Sequence, residues 1–299
     1  MTHSSKTHQP STASPAIITP KMMLVPANKF SFAQLTDAYN RTRVDYIVPM
    51  PMNERKMRDY VHNYDIDLSQ SVVAIEGNEI LGLAMLGVRK HATWVTRLGV
   101  LPNGRKRGLG WKMMQVLIEN SRALGVPEMQ LDVIKNNTPA EQLFLKCGFR
   151  HKGEVLVVRR PPKPVNIVTT GAYIEAVSYR DSLALLKRRT DHVSWLTDAR
   201  SMENAGNIAG LVADLPRGIG KGWLVYQNTV FQLGRLVFTI ESGDPVAVAT
   251  ALLENLHWRH PAQDTVVENV HPAAAHWQAM QSMGYILSFE RLEMVKPMG

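Results

Sequence analysis

The chain of 299 residues holds a single cysteine, Cys147, so no disulfide can form within it. It has no uninterrupted apolar run near the roughly 20 residues that a membrane-spanning helix needs. Residues 1–9 are polar, without an apolar signal region, and a cytoplasmic protein with no membrane partner is the expectation. Aromatic residues make up only 7% of the chain and are not interleaved with the basic ones, which argues against the stacking platforms of single-strand nucleic-acid binders. The formal charge is +8. Its cations are dispersed apart from residues 105–107 and 187–189, so no nucleic-acid partner is expected either. The histidines 257, 260, 271 and 276 have no cysteine or carboxylate at ligand-like spacing, and no metal site is expected. Residues 1–20, rich in Ser, Thr, Pro and His, hold too little apolar area to order themselves and read as a disordered tail.

Against these absences stands one dense signal. Arg105, Lys106, Arg107, Gly108, Leu109 and Gly110 lie between a β-like run at 94–101 and a segment at 111–124 with apolar residues at helical spacing. A helix that starts after such a turn offers unpaired N–H groups and the positive end of its dipole. Gly108 and Gly110 let backbone approach a ligand, and the cations draw anionic oxygen. The segment reads as a pyrophosphate cradle. Further on, Asn137, Thr138, Pro139 and Glu141 open a short helix, with Thr138 expected as its cap and Glu141 as the capping-box partner, and Gly148 closes it.

The motif Arg105-x-x-Gly108-x-Gly110, followed by a strand at 129–134, Asn137, a short helix containing Phe144, and Gly148-Phe149, resembles the loop and following elements of the GNAT superfamily of acyl-CoA-dependent N-acyltransferases. The resemblance implies an α/β (α+β) GNAT fold, a mixed central sheet flanked by helices. It implies acetyl-CoA as co-substrate, held by Leu98, Gly99 and Val100 of the central strand, by residues 105–110, and by Asn137 and Phe144. It also implies acyl transfer to a primary amine by direct attack, with the Leu98 backbone N–H polarising the thioester carbonyl. Helices at 32–43 and 53–64 joined by a proline-rich stretch at 48–52 would form one wall of the acceptor pocket, and Met50 and Met52 suggest a small-molecule acceptor. In many relatives a tyrosine protonates the departing thiolate, but its position here is Phe144, and the strand at 93–98 lacks the glutamate that many relatives use as base. Tyr46 and Glu54 are the acid/base candidates. A non-catalytic acyl-CoA sensor or scaffold is the alternative reading.

The proline-rich stretch 161–164 marks the end of the first unit, so the expected division is 21–160, a linker at 161–170, and a second unit at 171–299. That second unit repeats the order strand, helix, strand, helix, Gly-aromatic, as a smaller, degenerate GNAT-like domain. Its loop reads Glu241-Ser242-Gly243-Asp244-Pro245, which should cap its own helix and repel phosphate. The second unit is expected to close the acceptor pocket or to mediate association, with a homodimer left open.

Overall fold

The computed structural model describes residues 22–169, 171–190 and 193–299; the tail expected at residues 1–20 lies outside them. In chain order the first unit runs β1 (Met22–Pro26), α1 (Phe32–Arg41), α2 (Glu54–Asn63), β2 (Val72–Glu76), β3 (Glu79–Arg89), β4 (Ala92–Val100), α3 (Leu109–Ala123), β5 (Glu128–Ile134), α4 (Thr138–Lys146) and β6 (Arg150–Arg160). The second runs β7 (Tyr173–Val177), α5 (Tyr179–Lys187), α6 (Ala199–Ala205), β8 (Ile208–Leu215), β9 (Gly220–Asn228), β10 (Gln232–Gly243), α7 (Pro245–Arg259), β11 (Asp264–Val270), α8 (Ala275–Ser282) and β12 (Ile286–Pro297). The repeat read at the end of the chain is therefore β10-α7-β11-α8-β12 echoing β4-α3-β5-α4-β6.

The apolar run of β3 is buried on both faces of the sheet. Leu81, Ala84 and Leu86 pack with α3 residues such as Met113 and Leu117, while Leu83 and Met85 pack with Leu35, Tyr39 and Met57 of α1 and α2. A strand covered on both sides reads as a continuous hydrophobic run and not as an alternation. In the second unit α7 is the buried helix, its Val248, Leu252 and Leu256 fully enclosed against β8 to β11.

The strands form one twelve-stranded sheet in the order β1-β2-β3-β4-β5-β12-β6-β11-β10-β9-β8-β7. The last strands are exchanged. β12, from the end of the chain, pairs antiparallel with β5 and with β6, and β6 pairs with β11 of the second unit. The sheet does not break at residue 160, although irregular chain follows there through 169. A side chain seals the junction: Trp195 lies 4% exposed, stacks on Trp94 at 5.8 Å and donates from Nε1 to Tyr64 O at 2.9 Å. Arg89, paired with Asp65 of its own unit at 2.9 Å, adds an ion pair to Asp198 at 3.2 Å across the same seam.

Candidate active site

Strands β4 and β5 run parallel through only three pairs, Thr93 with Met129, Trp94 with Gln130 and Val95 with Leu131. A bulge in β4 falls just beyond, between the pairs Met85–Thr96 and Leu83–Gly99. Its extra residue, Arg97, takes φ +54°, the left-handed region that non-glycine residues enter only when their surroundings hold them there. The strands part at this point. A cavity of about 370 Å³ occupies the opening, reached by Thr96, Arg97 and Leu98 from β4 and by Asp132 and Val133 from β5.

Helix α3 follows β4, and its first turn packs against α4. Gly108 is its N-cap at φ +74° and provides no side-chain cap, so the first-turn N–H groups are left for an outside acceptor. A Cβ at Gly108 would meet nothing within 4 Å, whereas one at Gly110 would lie 3.1 Å from Leu143 Cδ2. Gly108 thus leaves open space before the helix, and Gly110 permits close packing on α4. The nearby cations divide into two sorts. Arg105 forms a bidentate pair with Asp45, Nη2 to Oδ1 at 2.7 Å, and Arg107 pairs with Glu76. Lys106 and Lys112 have no carboxylate partner among the described residues.

Residues 33–149 match the sequence model of the Acetyltransferase (GNAT) family. The chain carries a GNAT acetyltransferase-family domain. It is 32% identical over 57 residues to the chloroplastic GCN5-related N-acetyltransferase 6 of Arabidopsis thaliana, a segment that covers 19% of this chain and 20% of that protein; the match therefore spans about a fifth of that relative's length. The whole architecture is similar to that of a GCN5-related N-acetyltransferase from Sphaerobacter thermophilus, with TM-score 0.67, 16% identity, and 93% and 96% of the two chains covered. It is also similar to a tandem GNAT protein from the clavulanic acid biosynthesis pathway, with TM-score 0.64, 12% identity, and 93% and 99% covered. At these identities the structural likeness shows the fold alone, a GNAT fold. GNAT domains use acetyl-CoA as acyl donor, and the uncapped α3 of this chain, with Gly108 in front of it, fits that group.

The residues picked out from the sequence do not all converge. Leu98 lines the cavity, and its carbonyl accepts from Arg43 Nη2 at 3.2 Å. Val100 packs toward α3, its carbonyl accepting from Arg105 Nε at 3.1 Å. Gly99 has a packing role, since a Cβ there would fall 2.4 Å from Thr42 Oγ1. Tyr46, Asn137 and Phe144 all line the cavity. Asn137 is the N-cap of α4 but does not cap it with its side chain; its Nδ2 instead points to Tyr46 Oη at 3.5 Å. Thr138 is accordingly the first helical residue and not the cap, and Glu141 pairs with His151 at 2.9 Å instead of closing a capping box. Glu54 does not reach the cavity: it begins α2 and pairs with Arg58 one turn on, out in solvent. Cys147 is buried in the core, and burial pushes its thiol up.

The cavity also gathers charged residues that the sequence reading passed over. Asp132 and Arg97 come from the GNAT domain, but Arg235, Glu268 and Arg291 come from β10, β11 and β12. Each sits in a strand that carries other polar residues as well, so no local sequence signal marks them. Burial pushes the Asp132 carboxyl up, with the Arg291 charge pulling the other way. Burial also acts on Glu268, but Arg291, Arg97 and Arg235 outweigh it and hold that carboxyl below its usual value. Tyr60 bonds Thr96 Oγ1 at 2.5 Å, and burial raises its hydroxyl to about 12.

The equivalent place in the second unit is filled by the protein itself. Asp244 accepts from the N–H groups of Val246 (2.9 Å) and Ala247 (3.1 Å), Pro245 removes a donor, and Asp244 N–H is returned to Ile219 O at 2.8 Å. Of the four histidines, His257 faces Tyr285 Oη at 2.9 Å, His260 faces Tyr226 Oη at 2.9 Å, and His276 stacks on Phe238. No cluster able to hold a metal occurs among the described residues, and none of their helices is long and apolar enough to cross a membrane.

Proposed function

We propose that the protein is an N-acetyltransferase that moves the acetyl group of acetyl-CoA to the primary amine of a small molecule by direct attack. The observation that supports this reading most is the uncapped N-terminus of α3 beside the parted strands β4 and β5, set against its self-capped counterpart on α7. An anion is accommodated at one and excluded at the other, so one donor site per chain follows. The acceptor enters the cavity between α2, β4 and β5, which β10 to β12 close from below.

Acetyl-CoA supplies the activated carbonyl when bound. Of the chain's own groups, the Leu98 backbone N–H, on the edge of β4 past the last β5 pair, is the donor assigned to that carbonyl oxygen. Asp132 stands one residue past the last pair, and a carboxylate whose affinity for protons has been raised by burial suits the removal of a proton from an attacking ammonium. Tyr46 shares the cavity wall with Phe144 and contacts Asn137 at the head of α4. It takes the proton-donor role toward the departing thiolate that Phe144 cannot fill.

Release of free CoA from acetyl-CoA, followed over a panel of small primary amines, tests the reading. Amine-dependent release with formation of the N-acetyl product is the expected result. Tight acetyl-CoA binding with no amine-dependent release across the panel would instead favour an acyl-CoA sensor.

A further inference from the structure

The floor of the acceptor cavity holds more positive charge than its neighbours neutralise. Three guanidinium groups act on the single carboxylate of Glu268: Arg97 from the bulge of β4, Arg235 from the matching bulge of β10, and Arg291 from β12. Arg291 takes that carboxylate directly at 2.6 Å. Counting Asp132, the next acid, as a second carboxylate still leaves three guanidinium groups to two acids on the cavity floor. The other two arginines bond only neutral groups. Arg97 donates from Nη1 to Tyr39 Oη at 3.2 Å, lies 4.1 Å over the Tyr60 ring, and keeps a buried Nε with no partner. Arg235 donates to Gln227 Oε1 at 3.0 Å and to Leu196 O at 2.9 Å, with the Tyr64 ring 4.8 Å below it.

Cations withdrawn from water are normally paired with anions, because the desolvation is not recovered from neutral acceptors. The donor does not provide that anion: the cations suited to its phosphates stand at 105–112, and its reacting end is uncharged. Resting on the acetyltransferase reading above, we propose that the acceptor is an amine that also bears a carboxylate, an amino acid or related zwitterion. Its carboxylate lies between Arg97 and Arg235, and its amine is directed to the mouth of the β4–β5 opening. The planar fork of a guanidinium matches a carboxylate in two parallel bonds. Arg235, Glu268 and Arg291 then make the second unit the seat of acceptor specificity, although it binds no donor.

The test compares amines in matched pairs that differ by the carboxylate: phenylalanine with phenethylamine, lysine with cadaverine, γ-aminobutyrate with propylamine, plus phosphoethanolamine as the phosphate counterpart. The carboxylated member should be preferred in kcat/KM. Arg97→Gln and Arg235→Gln should lower that parameter about 10- to 100-fold more for the carboxylated member than for its partner, with Arg97→Lys recovering part of the difference. Calorimetry of the N-acetylated products in the presence of CoA gives a second readout independent of turnover, in which the N-acetyl amino acid should bind and its decarboxylated partner should not. Equal use of both members, preference for the phosphate, equal losses in the variants, or binding of neither product would each overturn the proposal. A protein that binds no acetyl-CoA fails the acetyltransferase reading itself, which is a different result from one that binds acetyl-CoA and ignores the carboxylate.

Discussion

Asp132 and Glu268 show how much a residue's surroundings decide. Both are strand carboxylates, both lie near Arg291, and they shift in opposite directions. Glu268 has three arginines acting on it and stays ionised; Asp132 has burial outweighing one of them and gains affinity for protons. As a base Asp132 works only when ionised, so the rate should fall as pH drops through its raised value, somewhere above its ordinary 3.8. We expect Asp132→Asn to lower kcat about 10²-fold and to erase that acidic limb, as a pH–rate profile of both proteins would show. Tyr46→Phe should slow turnover without weakening acetyl-CoA binding. Glu54→Gln should change neither, because its carboxylate is bound to Arg58 outside the cavity. From the sequence Glu54 and Tyr46 looked alike, two polar residues near a proline-rich wall. Only the direction of the α2 start separated them, and that depends on the packing of Met57 in α2 against Tyr39 of α1.

At the scale of elements, what was local was legible. The strand, glycine turn and helix at 92–123 followed from periodicity and from Gly108, and α3 and β4 sit within two residues of their expected ends. The self-capped start of α7 was equally readable, because Asp244 and Pro245 act on their own helix. Asp244→Ala should therefore cost about 1 kcal/mol in urea unfolding and still create no second acetyl-CoA site, since Pro245 and the Ile219 contact remain. The parting of β4 from β5 was not legible. It comes from a bulge whose residue, Arg97, has no intrinsic preference for φ +54° and is held there by its tertiary contacts. The one-residue misplacement of the α4 cap has a related cause: Asn137 turns its side chain to Tyr46, ninety-one positions earlier in the chain.

Across the whole molecule the largest feature invisible in the sequence is the strand exchange. Hydrophobic pattern gives an element's type but not its neighbour, and nothing in residues 286–297 says that they pair with β5 of the other unit. The exchange and the Trp195 seal tie the two units into one sheet, so unfolding should be a single transition. Trp195→Ala should cost about 3–5 kcal/mol, read as a shifted urea midpoint with the transition still single. The buried histidines add a pH term. Burial first, then the Arg160 and His260 charges, lowers His257 from its ordinary 6.5 to about 3; burial likewise lowers His276 to about 4. Between those values and 6.5 the unfolded chain holds protons that the folded one does not. Their contribution is therefore intact above about pH 6.5 and is lost progressively as the pH falls. The double variant His257→Gln, His276→Gln should flatten the fall in unfolding free energy between pH 6.5 and 4.

One donor site per chain is expected, at the open N-terminus of α3 and nowhere on α7. Calorimetric titration with acetyl-CoA tests it most directly, on the parent chain and on Gly108→Trp, which places a ring in the open space before the helix. A single site in the parent chain and its loss in the variant are the expected results. Two sites per chain, or binding untouched by Gly108→Trp, would contradict it.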